Sequence, residues 1–143
     1  MTQSFREKLT PYAPLFLRLG LAIVFFIFGL QKLSSPEQTR AEIQLFLNLN
    51  LGTAAALNYY LGIFEIIISL GFLLGIGIRL LAPLASLFLI VFLISFISIG
   101  LARGTVIDPT LFRDFGLLAG TIVLWLLGPG PFSIEEMRKK KQG

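Results

Sequence analysis

The sequence predicts an all-α polytopic membrane protein. The expected architecture is an antiparallel bundle of four transmembrane helices, with a short amphipathic interfacial helix between the first two. Three observations carry this. The chain is 55% hydrophobic and only 14% charged, with mean hydropathy +0.84. Its apolar runs are uninterrupted over roughly 20 residues, the length a helix needs to cross a bilayer, whereas a soluble domain needs no such runs. The ionisable residues within those runs gather on single helical faces. The spans fall at about residues 15–33, 57–78, 81–102 and 111–127, with an amphipathic segment at 36–50 and a basic tail at 135–143. Together they make one domain.

The first span follows a polar segment with Arg6, Glu7, Lys8 and two prolines. It is longer than a cleavable signal core and ends in Lys32 without a small-residue cleavage site, so a retained helix is expected. Arg18, Ala22, Phe25, Gly29 and Lys32 share a face. Both cations could snorkel to the headgroups. Alternatively, Lys32 bends back over Gly29 towards a carboxylate on another helix, with Gly29 letting a helix or ligand approach closely.

Ser35-Pro36-Glu37-Gln38 reads as a helix start, with Pro at the first helical position and a capping Gln. Ala41, Leu45, Phe46 and Leu49 oppose Glu37, Arg40, Glu42, Gln44 and Asn48, a pattern suited to the membrane surface. This segment is a connector or a lid. Leu51-Gly52-Thr53 ends it.

The second span carries Glu65 well inside. An ionised carboxylate at that depth costs about 2.5–3.5 kcal/mol on insertion scales, so it needs a partner or a task. Asn58, Glu65, Phe72 and Arg79 recur every seventh residue, and Ser69 lies one turn beyond Glu65. This stripe is expected to face other helices or a polar cavity. The third span offers Ser86, Ser95 and Ser98, which commonly bond helix carbonyls. Asp108-Pro109-Thr110 starts the last span, which opens with Arg113-Asp114. Gly116 and Gly120 repeat the spacing of Gly71 and Gly75, which permits close helix packing. Trp125 suits the interface. Gly128-Pro129-Gly130-Pro131 stops the helix, and Ser133 to Glu136 can cap a short final one ending in Arg138 and Lys139 to Lys141.

With four spans, both termini share a side. Arg6, Lys8, Arg18, Arg79, Arg138 and Lys139 to Lys141, eight cations, would lie inside; Lys32, Arg40, Arg103 and Arg113, four, outside. That bias places both termini in the cytoplasm. It also accounts for the net charge of +4 and pI near 9.8 without a nucleic-acid partner. Glu65 then lies roughly 10 Å below the outer end of its helix. It would floor a polar pocket, with Lys32, Arg113 and Asp114 at the rim.

The chain has no Cys and no His. This removes thiolate chemistry, disulfides, iron–sulfur ligation and the usual haem and zinc ligands. Redox chemistry would require a diffusible or partner-held cofactor, and none is expected to be covalently bound. Glu65 is the candidate proton carrier, because burial in apolar surroundings raises a carboxyl pKa. Lys32, Gly29, Ser69, Arg113, Asp114 and Phe72 are candidate pocket residues. A purely structural role also fits: a buried ionic pair can fix how helices pack.

Arg18-Leu19 through Phe28-Gly29-Leu30-Gln31-Lys32, then Glu65 with Gly71, Gly75 and Arg79, then Arg113-Asp114 through Gly120 to Leu127-Gly128-Pro129-Gly130 together resemble the DoxX family of small four-helix membrane proteins. The closing segment is the most specific part. Many members carry a His before the Gly where this chain has Phe28. The resemblance implies a four-helix bundle in the cytoplasmic (inner) membrane and a link to respiration or redox homeostasis. The family name comes from the membrane part of a thiosulfate:quinone oxidoreductase, and members are thought to join soluble redox proteins. It makes Lys32, Glu65, Arg79, Arg113 and Asp114 candidate site residues.

Two function classes follow. One is a quinone-linked redox subunit, with quinone as diffusible cofactor, a soluble redox protein as partner and Phe25, Phe28 and Phe72 as apolar walls. The other is a non-enzymatic scaffold, or a carrier of a small solute or lipid, which at this size would need to homo-oligomerise to enclose an alternating-access path.

Overall fold

The computed structural model describes residues 3–37, 39, 43–104 and 109–142. Among these residues all regular structure is helical. The helices are α1 (Gln3–Leu9), α2 (Ala13–Ser34), α3 (Gln44–Asn48), α4 (Ala54–Leu74), α5 (Ile78–Arg103), α6 (Pro109–Leu127) and α7 (Ile134–Gln142), with a 3-10 turn at Thr10–Tyr12 joining the first two. Among the described residues three stretches are long and apolar enough to cross a membrane: Phe5–Ser34, Ala54–Leu74 and Ile78–Ala102. The fourth long helix, α6, has 19 residues.

The N-terminal segment is helical where the sequence suggested only a polar lead. Pro11 and Pro14 sit in the first turns of their helices, where a missing N–H removes no bond. Thr53 starts α4 by accepting the Ala56 N–H at 3.3 Å. The helix ends earlier than its apolar run. Gly75 (φ 64°) and Gly77 (φ 66°) both adopt the left-handed conformation, and the Gly75 and Ile76 N–H groups close back onto Gly71 and Phe72. Arg79 therefore belongs to the first turn of α5 and is exposed; it does not continue the face of Glu65. The heptad count failed because it ran through a helix break.

Of the 36–50 segment, only α3 is described as a helix. Gln38, Arg40, Ala41 and Glu42 lie outside the described residues, as does Asp108 at the expected start of α6. Ile43 is buried, and Phe46 meets Phe92 of α5 at 5.8 Å between ring centroids.

Polarity is inverted relative to a soluble domain. Leu101, Leu126 and Leu80 are 80%, 73% and 64% exposed, whereas Arg18, Asn58, Lys32, Glu65 and Asp114 are all nearly inaccessible. The α2–α4 contact is the closest. At the crossing of Gly29 and Gly62, a Cβ on either would fall within 3 Å of the other's carbonyl oxygen. Ser69 Oγ donates to the Ala22 carbonyl at 2.7 Å, and Phe25 meets Phe72 edge-on at 5.8 Å. Asn58 Nδ2 donates to the Pro36 carbonyl at 2.9 Å, and Thr39 Oγ1 donates to Asn58 Oδ1 at 2.7 Å. Ser86 and Thr121, with hydroxyls 2.8 Å apart, link α5 to α6.

The expected close packing at paired glycines is only partly realised. Gly120 packs against Leu17 and Leu21, but Gly116 has open space beside it, and Gly75 is a helix cap. The far end of the bundle is tied by Arg18. Its guanidinium donates to the carbonyls of Pro129, Pro131 and Phe132 at 3.1, 3.4 and 3.3 Å, so it does not snorkel. Glu135 accepts the N–H groups of Gly77 and Ile78, capping α5 from α7. Ser133 Oγ in turn accepts the Glu136 N–H at 3.1 Å and caps α7.

Candidate functional site

The site begins with two side chains that lean towards each other. Helical side chains tilt towards the N-terminus of their own helix. Near the end of α2 that tilt carries Lys32 back along the helix; in the antiparallel α4 it carries Glu65 the opposite way. The Gly29–Gly62 crossing lies between them and brings the helix axes close enough for contact. Lys32 Nζ donates to Glu65 Oε1 at 3.0 Å, with both side chains almost fully buried (2% and 4% exposed).

A second ionic pair comes from the first turns of α6. Arg113 Nε donates to Asp114 Oδ1 at 2.8 Å, Asp114 being buried and Arg113 38% exposed. The Arg113 guanidinium lies over the Phe28 ring, 4.2 Å from its centroid. Lys32 Nζ lies 6.0 Å from Phe28 and 5.8 Å from Phe92.

All four charged residues line one cavity. Its walls are Phe25 and Phe28 from α2 and Phe88, Leu89 and Phe92 from α5. Its volume is about 20 Å³, enough for one water molecule. Phe88 packs on Phe92 at 4.5 Å and on Phe64 at 5.1 Å, so an aromatic run closes the α4–α5 side.

Of the residues expected in the pocket from sequence, Glu65, Lys32, Arg113 and Asp114 line the cavity. Gly29 lies at the helix crossing beneath Lys32, and its place there is against Gly62 and Ile66. Ser69 lies a turn further down α4, engaged with Ala22. Phe72 lies below it in the packed core. Phe88, Leu89 and Phe92 were not singled out from sequence. The i, i+4 spacing of Phe88 and Phe92 was a signal, but one indistinguishable from lipid-facing aromatics. Among the described residues no group of His, Cys, Asp or Glu is arranged to hold a metal ion.

This arrangement has defined chemical capacities. The two ion pairs sum to zero charge, which limits the desolvation penalty of keeping four ionisable groups inside a bilayer-spanning fold. A proton shift between Lys32 and Glu65 leaves the pair neutral in either form.

The DoxX family model matches residues 13–99, more than half of the chain. The chain belongs to the DoxX family. The matched region of this DoxX membrane protein comprises α2, α3, α4 and most of α5, and it carries Lys32, Glu65 and Phe92. Arg113, Asp114 and the closing Gly-Pro-Gly-Pro segment lie beyond it, although that segment carried the most specific part of the resemblance. No curated protein and no solved structure matches the chain.

Proposed function

We propose that this DoxX protein is a membrane subunit or accessory of a quinone-linked redox system of the thiosulfate:quinone oxidoreductase type, acting through the polar pocket around Glu65. One observation carries the reading. A buried ion pair, Lys32–Glu65, and a second pair whose carboxylate alone is buried, Arg113–Asp114, converge on an aromatic-walled cavity among the long apolar helices. Ionisable side chains within membrane segments are costly and by default mark a functional site.

The donor set fits a quinone head. Lys32 can donate to a carbonyl oxygen, Glu65 can hold or release a proton, and Phe28 and Phe92 offer flat apolar faces. The volume does not fit in this conformation. A cavity near 20 Å³ takes a water and excludes a ring, so a head group would enter only by displacing Phe28 or Phe92. A bound quinone would supply the electron-accepting chemistry. The chain's own residues would bind, orient and handle protons. Electrons would come from a soluble redox partner, because the chain has no Cys or His.

The proposal includes four crossings, with α6 as the last, the 36–50 segment at the membrane surface, and both termini on the cytoplasmic face of the inner membrane. The eight-to-four distribution of cations supports this orientation. A homo-oligomer is part of the carrier alternative.

Purification from native membrane, with mass spectrometry of lipids and co-purifying proteins, tests the reading. A stoichiometric quinone lost in Glu65→Gln, with turnover lowered and the fold intact, is the expected result. Normal turnover in that variant would sink it. The water-sized cavity favours a second reading, a non-enzymatic scaffold or small-solute carrier in which Lys32–Glu65 fixes helix packing. On that reading no quinone appears, and Glu65→Gln acts on stability alone.

A further inference from the structure

One of the four charged residues is accessible and the other three are not. Arg113 reaches the surface, whereas Asp114 beside it, Lys32 and Glu65 are all buried, around a cavity that fits one water. The charged groups facing the cavity come from α2, α4 and α6; α5 contributes Phe88, Leu89 and Phe92. Beyond Glu65 the interior is packed closed, and its buried hydroxyls (Ser69, Ser86, Thr121) are bonded within the protein. Phe25, Ile68, Phe72 and Leu124 are at most 1% exposed, and further on the Arg18 cluster seals the end of the bundle. From Glu65 to Phe72 that barrier is about 10 Å thick, from the 1.5 Å rise per residue.

We propose that the Lys32–Glu65 pair exchanges water and protons with one side of the membrane only, the side of the α2–α4 connection, through a mouth that Arg113 plugs and Asp114 holds in place. Asp114 fixes Arg113 through the 2.8 Å bond, and Phe28 stacks beneath the guanidinium. Asp114 is also the relay. A hydronium at the mouth protonates the Asp114 carboxylate and is left as water; Asp114 gives that proton to the cavity water, which as hydronium passes one to the Glu65 carboxylate, so Asp114 returns to its anion and the cavity water is regenerated. The opposite side offers no such path: the buried hydroxyls at that depth, Ser69, Ser86 and Thr121, are engaged with the Ala22 carbonyl or with each other, and the layer of Phe25, Ile68 and Phe72 carries no ionisable side chain. The proposal builds on Glu65 as a proton-carrying group, but the sidedness it sets is independent of quinone.

The native chain has no Cys, so each substitution introduces its sole thiol. Phe92→Cys and Phe28→Cys place that thiol in the cavity wall and open room for a small reagent. Leu51→Cys and Met137→Cys, at exposed positions at opposite ends, identify the two faces of sealed proteoliposomes. A permanently charged methanethiosulfonate should label Phe92→Cys and Phe28→Cys from the Leu51 face, and should leave both unlabelled from the Met137 face. Adding Arg113→Ala to Phe92→Cys should raise the labelling rate about tenfold by leaving the mouth open more of the time. Labelling of the cavity thiols from the Met137 face, or from neither face, would overturn the one-sided path. An unchanged rate with Arg113→Ala would remove Arg113 as the plug. Neither result depends on whether quinone co-purifies, so the access path and the redox reading fail separately.

Discussion

Lys32 and Glu65 illustrate how a charge survives inside a membrane protein. Each side chain alone would be costly to bury, and together they are a 3.0 Å pair with almost no solvent contact. Removing one partner takes from the other its 3.0 Å counter-charge, and breaking a buried pair costs about 3–5 kcal/mol. Lys32→Met should therefore destabilise the protein strongly, and the double variant Lys32→Met/Glu65→Gln should recover most of that loss. Unfolding in mixed detergent micelles reads both. A double-variant loss equal to the sum of the two single-variant losses would show that the pair is not coupled. Arg18 solves the same problem without a carboxylate, donating to three backbone carbonyls that the Gly-Pro-Gly-Pro turn turns inward. Its partners were hidden from sequence because backbone carbonyls carry no residue label and lie more than a hundred positions away.

At the scale of elements, the α2–α4 pair depends on glycine at the crossing. An added Cβ at Gly29 would lie 2.7 Å from the Gly62 carbonyl oxygen, and backbone cannot swing aside. Overpacking costs about 1–3 kcal/mol, more than the ~1 kcal/mol a helix gains from Gly to Ala. Gly29→Ala should destabilise and loosen the Lys32–Glu65 contact. Gly116→Ala, beside open space, should be neutral or mildly stabilising. The same denaturation series separates them, and similar effects at both positions would refute the crossing as the critical contact. Glu135 is the corresponding device at the α4–α5 turn. It supplies α5 with the cap that Gly77 cannot, so Glu135→Ala should cost about 1 kcal/mol. Amide exchange at Gly77 and Ile78 should rise with it; unchanged protection there would mean that the cap contributes nothing.

At the scale of the whole molecule, apolar surface outside and ionic pairs inside define the environment the fold requires. The four-crossing proposal predicts that Leu51→Cys and Met137→Cys react with an impermeant thiol reagent from opposite faces of intact cells, with Met137→Cys reacting only after the inner membrane is opened. Reaction of both on the same face would remove one crossing and the cytoplasmic placement of the termini.

Much of this was readable from residues alone. Apolar runs mark membrane helices because hydrocarbon admits backbone only when its hydrogen bonds are closed within the segment. Glu65 drew attention because its depth made it expensive, and Lys32 because Gly29 left space to bend. The failures share one cause. Arg79 was aligned with Glu65 by periodicity, which assumes an unbroken helix, and two left-handed glycines broke it. Gly62, Phe88 and Phe92 were passed over, and Glu135 was assigned to the cap of its own helix and not to that of α5, because their significance lies in what faces them from another helix. The sequence by itself determined the class of the protein, its long helices and the residues too polar to leave in lipid. Tertiary structure decided which of those residues meet, how small the cavity between them is and which end of it is closed, because helix axes are set by backbone contact at a few small residues and no local pattern encodes the partner.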